Sequence, residues 1–105
     1  MQYRDLIRAT RNNTLTEKEQ LTNGIIGLCG EAGEVADVVK KYLFQGHPLD
    51  RDKLVKELGD ICWYFELICD ILDVTRSEVE QINQQKLLQR YPNGFSAEAS
   101  ISRKA

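Results

Sequence analysis

Apolar side chains recur along this chain at helical spacing. Tyr3, Leu6, Ile7 and Thr10 share a face over residues 3–11, which predicts a short first helix. Asn12-Asn13-Thr14 breaks it. Thr16 followed by Glu19 is a capping box, in which the hydroxyl takes an amide of the first turn and the carboxylate reaches back to the cap. It opens a second helix predicted to run to about Phe44, with Leu21, Ile25, Leu28, Ala32, Val35, Val39 and Leu43 as its apolar stripe. Gln45-Gly46-His47-Pro48 ends that helix, and Asp50 caps a third. Asp73-Val74 closes the third helix, and Thr75 with Glu78 forms a second capping box. A fourth helix is predicted from about Arg76 to Arg90, with Val79, Ile82 and Leu87 inward, and Tyr91-Pro92-Asn93-Gly94 stops it. Ser96 to Ala105 reads as a polar, flexible tail. The fold class expected is all-α: one helical domain over residues 1–95, built as a four-helix bundle, and a tail over 96–105.

Two stretches do not fit a simple bundle. From Ile61 to Leu72 the third helix reads I-C-W-Y-F-E-L-I-C-D-I-L, and its two charges, Glu66 and Asp70, lie four apart on one line. A helix apolar nearly all round is buried on more than one side, which implies a partner subunit completing the bundle, a homodimer or homotetramer. In the second helix Gly24, Gly27, Gly30 and Gly33 recur every third residue. Each costs ~1 kcal/mol against alanine inside a helix. Either the helix begins later, near Gly27, or the glycines form a bare strip against which another backbone or a ligand lies close.

Composition narrows the class. A chain of 105 residues with 42% hydrophobic and 29% charged residues is an ordinary globular domain with a modest core, which oligomerisation would enlarge. A net charge of −2 argues against non-specific nucleic-acid binding. No apolar run approaches the ~20 residues of a membrane span, and Met1-Gln2-Tyr3-Arg4-Asp5 does not open a signal peptide. The expected location is cytoplasmic. Cys29, Cys62 and Cys69 form no CxxC pair and read as reduced hydrophobes. His47 is the one histidine, so a zinc site lacks its usual donors.

The candidate chemistry lies in two acidic pairs. Glu31 and Glu34 are three apart, as are Glu57 and Asp60, so each pair shares a helix face. Glu34 with Glu57, and Glu31 with Asp60, are both centred between Gln45 and Gly46. An antiparallel hairpin at that turn therefore nests the pairs and brings four carboxylates into one patch. Two bare charges ~5 Å apart repel by roughly 3 kcal/mol at an effective dielectric of ~20, so four need a cation or partial protonation. Oxygen donors alone favour a hard ion, Mg²⁺ or in its place Mn²⁺. A solvated acidic face is the competing reading. Tyr64 stands four after Asp60 and Lys41 seven after Glu34. Tyr64 either reaches the site or packs in the core or an interface, and Lys41 either faces the site or is a solvated charge. Asn83, Lys86 and Arg90 share one face of the fourth helix, which is either an exposed polar surface or a cationic clamp for the phosphates of a substrate. Trp63 either stacks on a base or packs.

The runs G-E-A-G-E-V-A-D, K-E-L-G-D-I-C-W-Y and N-Q-Q-K-L-L-Q-R-Y-P-N-G-F together resemble the MazG-like family, over roughly Leu21 to Phe95. The resemblance implies an all-α, Mg²⁺-dependent nucleoside triphosphate pyrophosphohydrolase that cleaves between the α- and β-phosphates and works as a dimer or tetramer. It implies Glu31, Glu34, Glu57 and Asp60 as metal ligands and Asn83 and Lys86 as substrate contacts. Glu34 and Glu57 are the candidate catalytic residues, with Glu34 orienting the attacking water. Lys41, Tyr64 and Arg90 complete the candidate substrate contacts. A phosphoribosyl-ATP pyrophosphohydrolase and a helical module that binds nucleotide or metal without turnover are the alternatives. A di-iron bundle would usually need Glu-x-x-His pairs, and His47 stands in a turn.

Overall fold

The computed structural model describes residues 1–102. They form α1 (Tyr3–Thr10), α2 (Glu17–Phe44), α3 (Arg51–Ile71), α4 (Arg76–Arg90) and α5 (Ala97–Ile101). No strand occurs among the described residues; one isolated bridge joins Pro92 and Gly94. The chain divides into two compact units, Met1–Asp73 and Val74–Ala105.

The helix starts are where the capping residues put them. Thr16 accepts the Glu19 amide at 3.2 Å while Glu19 takes the Thr16 amide at 2.9 Å, and Thr75 and Glu78 repeat the box. Asp50 accepts the Lys53 amide at 3.0 Å. Between α2 and α3, Gly46 adopts φ +71°, open to a residue without Cβ. The amides of Gln45 and His47 both return to the Lys41 carbonyl at 3.1 Å. These contacts close a short turn that sets α3 against α2.

Within the first unit α3 packs on α2 along one side and on α1 along another. Leu67 and Ile7 are fully buried and Cys69 nearly so. Part of the two-sided apolar surface of α3, expected to imply a partner subunit, is thus covered by α1 of the same chain. The face of α2 turned to α3 also differs from the aliphatic stripe expected. Gln20, Gly24 and Val38 are buried, whereas Ile25 is 49% and Leu43 60% exposed. The reason is the glycine line. A Cβ on Gly24 would come within 2.9 Å of Ile68 Cγ1, and one on Gly27 would overlap the Tyr64 ring. The helices close where side chains are absent, which rotates α2 away from its aliphatic stripe. Gly30 and Gly33 face open space instead, so close approach accounts for two of the four. The helix begins at Glu17, which excludes the later start.

An ion cluster that the sequence reading missed seats α1. Arg4, Arg8 and Arg11 recur at spacings of four and three along α1 and its end, opposite the Glu66/Asp70 line of α3. Arg4 bonds Glu66 Oε1 through Nε at 2.9 Å and Nη2 at 2.8 Å. Arg8 takes both oxygens of Asp70, at 2.7 and 3.1 Å, and Arg11 adds a bond to Oδ2 at 3.0 Å. This fork-on-carboxylate geometry is the stronger kind of ion pair, and it holds Asp70 below the usual carboxylate pKa range, chiefly through the Arg8 bonds. The loop after α1 is tied in as well: Gln20 Nε2 donates to the Asn12 carbonyl at 2.7 Å.

In the second unit the Tyr91-Pro92-Asn93-Gly94 turn closes with the Gly94 amide on the Tyr91 carbonyl at 3.1 Å, and the Tyr91 and Phe95 rings pack at 5.7 Å. Ile82 and Leu87, expected inward, are 66% and 46% exposed. Where a loose tail was expected, Ser96 starts α5: its side chain accepts the Ala99 amide at 3.0 Å, a local cap that a short polar segment can supply. Residues 103–105 of that expected tail lie outside the described residues. The helices of the expected four-helix bundle are thus distributed over two units, three in the first and the fourth in the second.

Candidate functional site

The α2–α3 hairpin does bring carboxylates together. Glu31, Glu57 and Asp60 each offer an oxygen within 4.8 Å of the others. Glu31 and Glu57 are partly buried and Asp60 is exposed. The Glu31 carboxyl is pushed above its ordinary pKa. Partial burial is the main cause, followed by a hydrogen bond with Glu57 and by the charges of Asp60, Glu57 and Glu34. A carboxyl so placed resists losing its proton.

Such a trio could hold a divalent ion. Carboxylate oxygens within 4.8 Å of one another could share one such ion. The donor set is oxygen only, as a hard cation requires. Glu34 lies outside the trio; it is exposed, and its charge is felt at Glu31. Mirror nesting about the turn paired Glu34 with Glu57, but in the structure Glu57 reaches Glu31.

A cavity of about 320 Å³ adjoins the trio, lined by Glu31, Asp60, Tyr64, Trp63 and Thr10. Tyr64 therefore belongs to the site wall and packs as well, its ring lying over Gly27 and edge-on to Trp63 at 5.0 Å. Trp63 Nε1 donates to Thr10 Oγ1 at 2.9 Å. Thr10 was read only as part of a helix face. Its presence here depends on how α1 is docked, which its own spacing does not reveal.

Lys41 stands apart from this cavity. It pairs with Asp37 at 2.9 Å, both side chains well exposed, and lines a small groove near the turn with Val38, His47, Pro48, Asp50 and Lys53. An exposed pair of this kind contributes little to stability. Asn83 and Lys86 are exposed on α4, and Arg90 is partly buried with its Nε unpartnered; these three belong to the second unit. The cysteines are free thiols, and no helix among the described residues is long and apolar enough to cross a membrane.

Comparison with known proteins bears on this arrangement. The gene 37 protein of Mycobacterium phage L5 is 42% identical over 80 residues, covering 72% of this chain and 70% of the phage protein. No solved structure matches. The profile of the MazG nucleotide pyrophosphohydrolase domain matches residues 19–95, a span that holds both acidic pairs and the turn between them. With most of its length covered by that profile, this chain belongs to the MazG nucleotide pyrophosphohydrolase domain family.

Proposed function

We propose that the protein is a Mg²⁺-dependent nucleoside triphosphate pyrophosphohydrolase that opens the α–β anhydride and releases a nucleoside monophosphate and pyrophosphate. The convergence of Glu31, Glu57 and Asp60, with Glu31 raised by burial and its neighbours, carries this reading. Acids so crowded favour a divalent ion, and a triphosphate needs one to lie beside them.

Bound there, Mg²⁺ supplies charge neutralisation for the phosphate oxygens and helps position them. Glu31, Glu57 and Asp60 would hold the ion. Glu34, outside the trio but close enough to act on Glu31, orients the attacking water and accepts its proton. Glu57, bonded to Glu31, keeps the two carboxyls in register. Asn83, Lys86 and Arg90, in the second unit, stay proposed substrate contacts on their chemistry alone, donors and positive charge of the kind a phosphate chain requires. Lys41, ion-paired near the turn, is the weakest of the proposed contacts, and Tyr64 acts from the cavity wall. The exposed apolar side chains of α2 and α3, among them Ile26, Phe44 and Val55, support assembly with a second copy. The location proposed remains cytoplasmic.

The test is pyrophosphate release with Mg²⁺ across a panel of canonical and damaged ribo- and deoxynucleoside triphosphates, with phosphoribosyl-ATP included. Turnover of at least one triphosphate is expected. Nucleotide binding without any turnover would favour the helical binding module instead.

A further inference from the structure

The cavity beside the acids has a wall that the family profile covers only in part. The matched span begins at residue 19, yet Thr10 lines the same space as Glu31 and Asp60. With it stands Trp63, the sole tryptophan of the chain. The indole Nε1 donates to the Thr10 hydroxyl at 2.9 Å, and that hydroxyl donates to the Leu6 carbonyl at 2.8 Å. An indole has one donor and a hydroxyl has one, so both are engaged within the wall. What the wall turns to the cavity is aromatic surface and shape rather than free donors. The Tyr64 ring, edge-on to Trp63, braces it from the side.

The two halves of the cavity suit unlike groups. The carboxylates repel an anion unless a cation intervenes, whereas an indole offers nothing to a phosphate and a good surface to a flat ring. A volume of about 320 Å³ is at the small end of ligand sites, about 300–1,000 Å³. It is open to solvent, and one compact moiety would fill it beside the acids. We propose that Thr10 and Trp63 form the nucleoside-recognising wall, with the base of a nucleoside triphosphate packed on the Trp63 indole and its phosphates toward Glu31, Glu57 and Asp60.

This inference rests on the pyrophosphohydrolase reading and adds a basis for selectivity. The Thr10–Trp63 pair, with its donors engaged, discriminates by ring size and stacking, and such surfaces separate substrates by only about 10–200-fold. This pair distinguishes one-ring from two-ring bases and does not itself tell an amino from an oxo group. Arg11, next to Thr10, is bonded to Asp70 on the helix that carries Trp63, which ties the two sides of the wall together.

Trp63 also reports on itself, since intrinsic indole emission has no other source in this chain. The full-length protein with Mg²⁺ is titrated with α,β-methylene nucleoside triphosphates, which resist α–β cleavage, and in parallel with inorganic tripolyphosphate. The nucleotide analogues are expected to change the emission and tripolyphosphate to leave it unchanged. In turnover assays Trp63→Ala is expected to raise KM roughly 5- to 150-fold, the span of a base–aromatic stack, with a much smaller change in kcat. Thr10→Val, which releases the indole, raises KM in the same direction, and Thr10→Ser, which keeps the hydroxyl, restores it. This second pair carries the test if Trp63→Ala does not fold. Equal emission changes with tripolyphosphate, or unchanged KM in variants of an active enzyme, would overturn the wall and leave the pyrophosphohydrolase reading intact. A wild-type protein that neither binds nor cleaves any nucleoside triphosphate overturns both.

Discussion

Replacing Asp70 by asparagine tests whether ion pairing, rather than the burial of Ile7 alone, docks α1. Asp70 has a side chain only 7% exposed and accepts two bonds from Arg8 and one from Arg11. Hydrogen bonds to a charged group contribute about 1.5–3 kcal/mol each and neutral ones about 0.5–1.5. Neutralising the acceptor thus forfeits ~1 kcal/mol per bond. The Arg8 share is reduced because its side chain is 56% exposed and can swing into water. Arg4 keeps its bonds to Glu66 in the variant. A loss of about 2–3 kcal/mol is expected, which for a domain near 100 residues lowers Tm by roughly 10–20 °C. The pH dependence has a definite sign. Asp70 is depressed in the folded state, so its contribution is present above the ordinary carboxylate pKa of about 3.9 and is lost as pH falls through the folded value. Thermal melts of wild type and Asp70→Asn at neutral pH should therefore differ strongly, and they should converge in acid. Equal Tm values at neutral pH, or an unchanged gap down to pH 2, would refute the argument.

Glu57→Gln should abolish turnover while keeping the fold, and it should raise the Tm of the metal-free protein by removing one repelling charge from Glu31; an unfolded variant would make Glu57 structural instead. Mg²⁺ affinity measured by calorimetry should rise with pH across the raised Glu31 pKa, because binding requires the ionised form; a flat profile would take Glu31 out of the ligand set. Gly33→Ala, which meets open space, should gain about 1 kcal/mol in helix propensity, while Gly27→Ala should destabilise by displacing Tyr64. A loss of stability at Gly33 would mean that a second copy seats on it. Sedimentation at micromolar concentration should show a dimer or larger species, and a clean monomer would contradict the role given to the exposed apolar face.

The limits of the first four helices were legible where a local signal set them, whereas α5, capped by Ser96, was read as tail. The boxes at Thr16 and Thr75 and the Gly46 turn act over a few residues, so the chain displays them directly. The acid trio was legible because a hairpin is a simple mirror, though a mirror predicts backbone level and not side-chain reach; hence Glu57 meets Glu31 and Glu34 stands aside. The face of α2 was misplaced because hydrophobicity ranks Ile25 above Gly24, while packing favoured the position where nothing projects. Arg4, Arg8 and Arg11 carried a readable spacing, but their partners lie about sixty residues on, and no local rule links the two segments. Thr10 had no signal of its own, since a hydroxyl on a short helix gains its role from docking.

The acids that gather a cation come from two neighbouring rods joined by one tight bend, so the contacts that shape the site are close in sequence. An ion seated between Glu31 on one rod and Glu57 and Asp60 on the other would clasp the hairpin shut. By mass action, an ion at a hundred times its dissociation constant adds about 2.7 kcal/mol to the folded state. The resting durability of the protein would then follow the free divalent concentration of its surroundings, and a chelator would soften the hairpin and disarm the site in the same act.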